Sequence, residues 1–235
     1  VVEASSYQLE YSKLFRSNIS VILNISSDHL ERHKNLKNYI KAKFKIIKNQ
    51  LKEDYAILNM NNPYIKQEIK TKKFSSKLIK IYKYLDIKFL KKINNPYFYS
   101  EGNRENLSFV FAIAKILKLK KSNLFKTLKK FKGLKYRQQV IFKSKNLTII
   151  NDSKSTSFSS SVSILKLMSN VFWIVGGLAK KGDKFLLKKN ENTNFKTYIY
   201  GKNKNTFLNQ LKNIVKCESF INLEFLIKKV FLDIK

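Results

Sequence analysis

Apolar residues in this chain form short unbroken runs that alternate with longer segments of helical spacing. The unbroken runs at residues 19–25, 55–60, 171–175 and 198–200 predict buried strands. Residues 140–142 and 147–150 predict two strands that pair with each other. Apolar positions that recur every three or four residues predict helices over residues 36–49, 106–117, 123–131, 160–167, 207–215 and 223–230. Residues 72–100 predict only small strands and loops.

Alternating strands and helices are typical of an α/β fold, in which helices cover a mostly parallel sheet. The pattern restarts after Gly133, a residue suited to ending a helix. We therefore predict two units, residues 1–134 and residues 135–235. Such sheets bind ligands beyond the C-terminal ends of their strands, so the polar segments that follow the predicted strands are where functional residues are expected.

The formal net charge of +32 raises the question of nucleic-acid binding. However, 44 of the 48 basic residues are lysines spread along the whole chain, since only Arg16, Arg32, Arg104 and Arg137 are arginines. Such a distribution is typical of an A/T-rich coding sequence and makes a solvated cationic surface. With no zinc-finger spacing and no RNP motif, specific nucleic-acid binding is not the expected main role, although it stays open as an alternative.

Other features of the sequence bear on the cellular compartment of the protein and on whether the chain is a fragment. No uncharged apolar run approaches the length of about 18 residues that would span a membrane, and no N-terminal signal is present. The single Cys217 suits a reducing cytoplasm, where we expect the protein to be a monomer. Since the chain begins Val-Val-Glu without an initiator Met, we expect it to be an internal fragment.

Two candidate ligands for a divalent cation follow predicted strand ends. Glu3 follows the opening apolar residues, and His29, preceded by Asp28, follows the strand at residues 19–25. Carboxylates with a single imidazole suit Mg²⁺ or Mn²⁺, whereas the alternative is that the two acids are surface or capping residues. His29 and His33 are also spaced as in a zinc protease helix, but that motif needs Glu directly after the first His.

A polar segment, NDSKSTS, ends the strand predicted at residues 147–150. On an extended path Asp152 and Lys154 would point the same way, as a carboxylate and a compact cation. Ser153, Ser155 and Thr156 have two open roles, binding an anion or capping the following helix. The glycine-containing loop at residues 176–182 carries cations but is not a Walker loop, because Asp183-Lys184 follows it.

Seven segments in this order resemble the Mur ligases: VEASSYQLE, NISSDHLERH, YIKAK, GNRENL, GLKYRQQ, INDSKSTS and VGGLAKKGDKF. The SSYQLE and NDSKSTS forms are most similar to the family members that add D-glutamate. The resemblance implies that residues 1–134 are part of the central ATPase domain and residues 135–235 part of a Rossmann-like C-terminal domain. It implies ATP-dependent joining of D-glutamate to UDP-N-acetylmuramoyl-L-alanine in peptidoglycan synthesis, through an acyl phosphate.

The resemblance also implies roles for particular residues. Glu3 and His29 would bind Mg²⁺, and Lys43, which nothing else in the sequence singles out, would be carbamylated and hold a second Mg²⁺. Asn103 and Asn106 would lie near the adenine of ATP. Arg137 and Asp152 would contact its phosphates and ribose. The expected D-glutamate contacts are Lys154, Thr156 and Lys180, with Lys181 as the alternative to Lys180.

Departures from the family pattern limit what these residues would do alone. The 235 residues contain no P-loop, and Gly102 stands where relatives often carry His. We therefore predict that the isolated chain is catalytically inactive. Two alternatives stay open beside the D-glutamate ligase: a different Mur ligase or a folylpolyglutamate synthase, and a basic nucleic-acid-binding protein.

Overall fold

The computed structural model describes residues 1–26, 28–166, 168–179, 183–187 and 195–234. It divides the chain into two compact units, Val1–Phe131 and Lys132–Lys235. Among the described residues, no helix is both long and apolar enough to cross a membrane. The α/β fold with parallel sheets is confirmed, while the assignment of the units to a central and a C-terminal domain stays a prediction.

The first unit contains three strands and most of the helices. Its strands are β1 (Ile19–Ile22), β2 (Tyr55–Asn59) and β3 (Lys77–Ile81). Its α-helices are α1 (Ser6–Tyr11), α2 (Leu30–His33), α3 (Leu36–Lys48), α4 (Pro63–Thr71), α5 (Ile87–Ile93), α6 (Glu101–Ile116) and α7 (Lys121–Lys130), and a 3-10 turn spans Pro96–Tyr99. The strands are parallel in the order β1-β2-β3, so the sheet's C-terminal edge collects the segments after β1 and β2.

The core of the first unit lies around β2. Ala56, Ile57 and Leu58 are fully buried, as expected for a central strand covered on both faces. Helix α3 packs on this sheet through an apolar stripe that includes Ile40 and Phe44. Residues of α5, α6 and α7 form a separate apolar cluster.

The second unit contains an antiparallel pair and a parallel sheet. The pair consists of β4 (Gln139–Lys143) and β5 (Thr148–Asn151). The sheet has the order β6-β7-β8, formed by β6 (Val171–Gly176), β7 (Phe195–Tyr200) and β8 (Lys216–Ser219). Its helices are α8 (Phe158–Leu165), α9 (Lys204–Leu211) and α10 (Leu223–Ile234). Phe158 anchors α8 in the core, with edge-on contacts to Phe185 and Phe207.

Several predicted boundaries were wrong, and most of the errors have a capping explanation. Helix α6 begins at Glu101, before the expected residue 106, because the Ser100 hydroxyl accepts a hydrogen bond from the Asn103 amide. Helix α4, which follows the strand predicted at residues 55–60, was not predicted, because the Asn and Pro residues that begin it are also typical of turns; here Asn62 caps a helix with Pro63 in its first turn. Helix α5, capped by Asp86, lies where only small strands and loops were expected.

Replacement of two glycines by alanine is expected to change the stability of the protein in opposite directions. At Gly176, the last residue of β6, an added Cβ would lie 1.9 Å from the Tyr200 carbonyl oxygen, whereas at Gly102 in α6 nothing lies within 4 Å. We expect Gly176→Ala to lower the free energy of unfolding by about 1–3 kcal/mol or more because backbone must move. We expect Gly102→Ala to raise it by up to about 1 kcal/mol. Urea unfolding followed by far-UV circular dichroism measures both, and a harmless Gly176→Ala would contradict the close approach.

An ion pair between the buried Asp54 carboxylate and the partly exposed Arg16 makes the stability of the first unit depend on acid pH. The carboxylate of Asp54 accepts hydrogen bonds from Arg16 Nε at 2.7 Å and from the Leu51 amide at 2.8 Å. The bond from Arg16 is the main reason that the pKa of Asp54 falls to about 2.

Because this pKa lies below the unfolded value of about 3.9, the stabilisation is complete above that value and is lost as the pH falls towards 2. We expect the difference in unfolding free energy between the native chain and Asp54→Asn to shrink over that range. Urea titrations at several pH values check this, and a difference that is constant with pH would count against the ion pair.

Candidate functional site

His29 lies in the loop between β1 and α2, at the C-terminal edge of the first sheet. It has a left-handed backbone, with φ of 53°, and it precedes α2 without a side-chain cap. The carboxylate of Asp28 accepts a hydrogen bond from the His29 amide at 2.7 Å, which holds this turn. A left-handed conformation is uncommon outside glycine and costs energy, so it often marks functional sites.

Aromatic rings and carboxylates surround the His29 imidazole. The Tyr7 hydroxyl lies 3.3 Å from Nδ1, and the Tyr7 ring packs edge-on with its centroid 5.1 Å away. Glu31 Oε1 lies 3.6 Å from Nδ1, and Asp28 Oδ2 lies 3.6 Å from Nε2. Both sides of the ring therefore face acidic oxygens, an environment suited to a cation.

His33 has a structural role and does not form a metal pair with His29. His33 is buried, and its Nε2 lies 2.9 Å from the Ser6 hydroxyl, which ties α2 to α1. Among the described residues, no group of three or more His, Cys, Asp or Glu side chains is arranged to hold a metal. The zinc protease alternative therefore has no support in the described part of the chain.

Lys43 and His29 have one aromatic neighbour in common, Tyr39. The Nζ of Lys43 lies 5.4 Å from the centroid of the Tyr39 ring, and that ring is 6.3 Å from the His29 imidazole. Burial lowers the pKa of Lys43, and the nearby charge of Asp28 partly opposes the change. The proportion of neutral, nucleophilic amine is thus higher than for an exposed lysine.

Glu3 is exposed and precedes α1, and no contact joins it to His29 or Lys43 in the described structure. His29 and Lys43 in turn share Tyr39 as a neighbour without a direct contact in the described structure. An imidazole nitrogen and the oxygens of a carbamate on Lys43 would provide donors of the kind that Mg²⁺ accepts. The chemistry of these donors fits the predicted cation, while the roles of His29, Lys43 and Glu3 as its ligands stay predictions.

The predicted adenine residues lie in the first turns of α6. Asn103 donates a side-chain hydrogen bond to the Tyr97 carbonyl at 2.7 Å, and Asn106 is exposed. Their neighbour Glu105 was not predicted, and it accepts a hydrogen bond of 2.8 Å from Asn59 at the end of β2. Asn59 also donates to the Leu23 carbonyl, so this pair links α6 to the C-terminal edge of the sheet.

In the second unit, Asp152 follows β5 and carries an oxygen without a partner. Oδ1 accepts a hydrogen bond of 3.0 Å from the Gln138 amide, whereas Oδ2 is buried and has no hydrogen-bond partner among the described residues. Burial raises the pKa of Asp152, and the hydrogen bond from the Gln138 amide, followed by the charge of the exposed Arg137, opposes this. A buried acceptor without a hydrogen-bond donor destabilises the folded protein, so this oxygen is suited to a ligand that donates a hydrogen bond.

The rest of the NDSKSTS segment does not follow the predicted extended path. The Ser155 amide donates to the Asp152 carbonyl at 2.8 Å, so this segment turns, and Asp152 is half-buried while Lys154 and Thr156 are exposed. The expectation that Asp152 and Lys154 point the same way along a strand was therefore wrong.

The cap of α8 comes from an unexpected residue. Ser157 at the N-cap makes no side-chain capping bond, and instead the carboxylate of Asp183 accepts from the Phe158 amide at 2.8 Å. Asp183 belongs to the GDKF segment, 25 residues away. Lys180 and its alternative Lys181 lie outside the described residues.

Comparison with known proteins gives a consistent picture. Residues 1–95 match the family model described as the Mur ligase middle domain. The UDP-N-acetylmuramoylalanine--D-glutamate ligase of Rickettsia prowazekii (strain Madrid E) is 33% identical over 252 residues, which cover 99% of this chain and 56% of that protein. The chain thus spans about half the length of the curated relatives that it matches.

Solved structures share the fold at low sequence identity. MurF from Acinetobacter baumannii superposes with a TM-score of 0.67 at 16% identity, over 92% of this chain and 54% of that one. The UDP-N-acetylmuramate-alanine ligase MurC from Thermotoga maritima gives a TM-score of 0.66 at 17% identity, over 95% of this chain and 54% of that one. These two likenesses concern the fold alone.

Proposed function

Because this chain belongs to the Mur ligase family, we propose that it serves an ATP-dependent ligase that joins D-glutamate to UDP-N-acetylmuramoyl-L-alanine in peptidoglycan synthesis. The observation that carries the proposal is the similarity to a D-glutamate ligase over nearly the whole chain. We further propose that the protein acts in the cytoplasm as a monomer.

The cation site of the proposed enzyme would use His29 and Lys43. The half-buried Lys43 amine, with its lowered pKa, is suited to react with CO₂ and become an anionic carbamate. His29 Nε2 and Glu3 would then hold one Mg²⁺ and the carbamate oxygens a second, as the resemblance implies. Bound Mg²⁺ supplies charge neutralisation for a transferring phosphoryl group.

The proposed ATP contacts differ in chemistry. The bare Oδ2 of Asp152 would accept a hydrogen bond from a ribose hydroxyl, because a carboxylate repels phosphate. The exposed guanidinium of Arg137 suits the phosphates. Asn103 uses its amide nitrogen on Tyr97, which leaves its carbonyl oxygen for the amino group of adenine. The exposed Asn106 offers both groups.

The proposed reaction has two steps. The γ-phosphoryl group of ATP passes to the substrate carboxylate, which gives ADP and an acyl phosphate. The amine of D-glutamate then attacks the acyl carbon, loses a proton, and inorganic phosphate leaves. Lys154, Thr156 and Lys180 would hold the carboxylates of D-glutamate, and this assignment rests on the resemblance.

The test is an assay of ADP release by the complete protein that carries these residues. UDP-N-acetylmuramoyl-L-alanine with D-glutamate should give rapid release, whereas L-glutamate, L-alanine or a diamino acid should not. A preference for another amino acid, or for a folate acceptor with L-glutamate, would replace the proposal with the alternative ligase. The same assay on the 235-residue chain tests the prediction that these residues alone are inactive.

A further inference from the structure

The Tyr7 hydroxyl bridges the imidazole of His29 and the carboxylate of Glu31. It lies 3.3 Å from His29 Nδ1 and 3.4 Å from Glu31 Oε1. Nδ1 and Oε1 are themselves 3.6 Å apart, beyond a normal hydrogen bond. The hydroxyl has one hydrogen to donate, so how it is shared decides which ring nitrogen of His29 carries a proton.

Two arrangements of hydrogens are open to the neutral imidazole, and they are not equally favourable. If Nδ1 carries no hydrogen, the Tyr7 hydroxyl can donate either to Nδ1 or to Glu31. The acceptor that receives no hydrogen then faces the Tyr7 oxygen, which is also an acceptor. If Nδ1 carries the hydrogen, it donates to the Tyr7 oxygen, and the hydroxyl donates to Glu31. The second arrangement makes two hydrogen bonds where the first makes one.

We infer that Tyr7 is a positioning residue that holds His29 in its Nδ1–H form and so keeps Nε2 bare. Nε2 faces the Asp28 carboxylate at 3.6 Å, too long for a hydrogen bond, so a cation between them would gain a nitrogen and an oxygen donor. The identity of that cation as Mg²⁺ or Mn²⁺ rests on the proposed function, whereas the state of the ring does not.

The tautomer can be measured directly, because His29 and His33 are the chain's two histidines. Long-range ¹H–¹⁵N correlation spectra of the chain without metal, at about pH 8.5 and so above the ordinary histidine pKa of about 6.5, show which nitrogen is protonated. His29→Gln assigns the signals. We expect native His29 to be mainly the Nδ1–H form.

Two variants separate hydrogen bonding from packing. Tyr7→Phe keeps the ring contact and removes the hydroxyl, and we expect the Nε2–H form to become the major one. Glu31→Ala frees the Tyr7 hydrogen to donate to Nδ1, so it should move the tautomer in the same direction, which a purely packing role would not predict. Tyr11→Phe, on the same helix and bonded to Arg32, is the matched control and should change nothing.

Binding of Mn²⁺, followed by electron paramagnetic resonance, gives the second measurement. We expect Tyr7→Phe to raise the dissociation constant by about 10–100-fold. An Nε2–H form in the native chain, or a tautomer unchanged in both variants, would overturn the inference. An Nδ1–H form in a chain that binds no Mn²⁺ would support the role of Tyr7 and contradict the proposed cation site.

Discussion

Replacing Lys43 by alanine is expected to reduce ligation by the complete protein by about 10²–10³-fold or more. In the proposed site a carbamate on Lys43 holds the second Mg²⁺, and alanine removes the carbamate altogether. The measurement is the rate of ADP release with saturating ATP, D-glutamate and UDP-N-acetylmuramoyl-L-alanine.

Lys41→Ala is the control, because Lys41 is exposed on the same helix two residues away. It should keep nearly full activity. A direct readout is available as well: ¹³C-labelled bicarbonate should give a carbamate signal in the native protein and none in Lys43→Ala. Full activity of Lys43→Ala, or an unchanged carbamate signal, would show that this lysine is not the one modified.

Leu58→Ala is expected to have the largest effect on stability, a loss of about 2–5 kcal/mol of unfolding free energy. Leu58 is fully buried in the central strand β2 and packs in the apolar cluster under α3. Truncation removes buried methyl groups and leaves a cavity whose walls are held by strands on both sides. Urea unfolding followed by far-UV circular dichroism measures the loss.

The matched control is Leu51→Ala, because Leu51 is 47% exposed and precedes the same strand. Its expected effect is within about 0.5 kcal/mol, as for most surface substitutions. Equal losses for Leu51→Ala and Leu58→Ala would mean that β2 is not the centre of the core.

The strands were predictable from the sequence where they form an unbroken apolar run. Tyr55–Asn59 is buried along most of its length, whereas Val171–Gly176, predicted to be buried, leaves Phe172 and Ile174 exposed. The predicted ends of both strands differ by one residue from those of the structure. Short helices were harder, since α4 and α5 begin at Asn and Asp caps that resemble turn residues. Their lysine-rich surfaces also weaken the apolar periodicity that sequence interpretation depends on.

Some residues of the candidate site were likewise predictable from the sequence, and others were not. His29 was noticed because histidine is rare here and follows a strand. Nothing local distinguishes Lys43, because its lowered pKa comes from burial, a property of the tertiary structure. Tyr7 was missed as a partner of His29 because the two lie 22 residues apart and meet only after folding.

The cap that Asp183 provides for α8 has a consequence for how this protein varies among its relatives. The amide of Phe158, the first of helix α8, donates to a carboxylate that lies 25 residues away in the sequence. An N-cap side chain reaches the second or third amide of a helix, so a different residue at position 157 would not take over this bond. Substitutions that remove the carboxylate at position 183 should therefore be rare among relatives that keep this helix, whatever residue they carry at position 157.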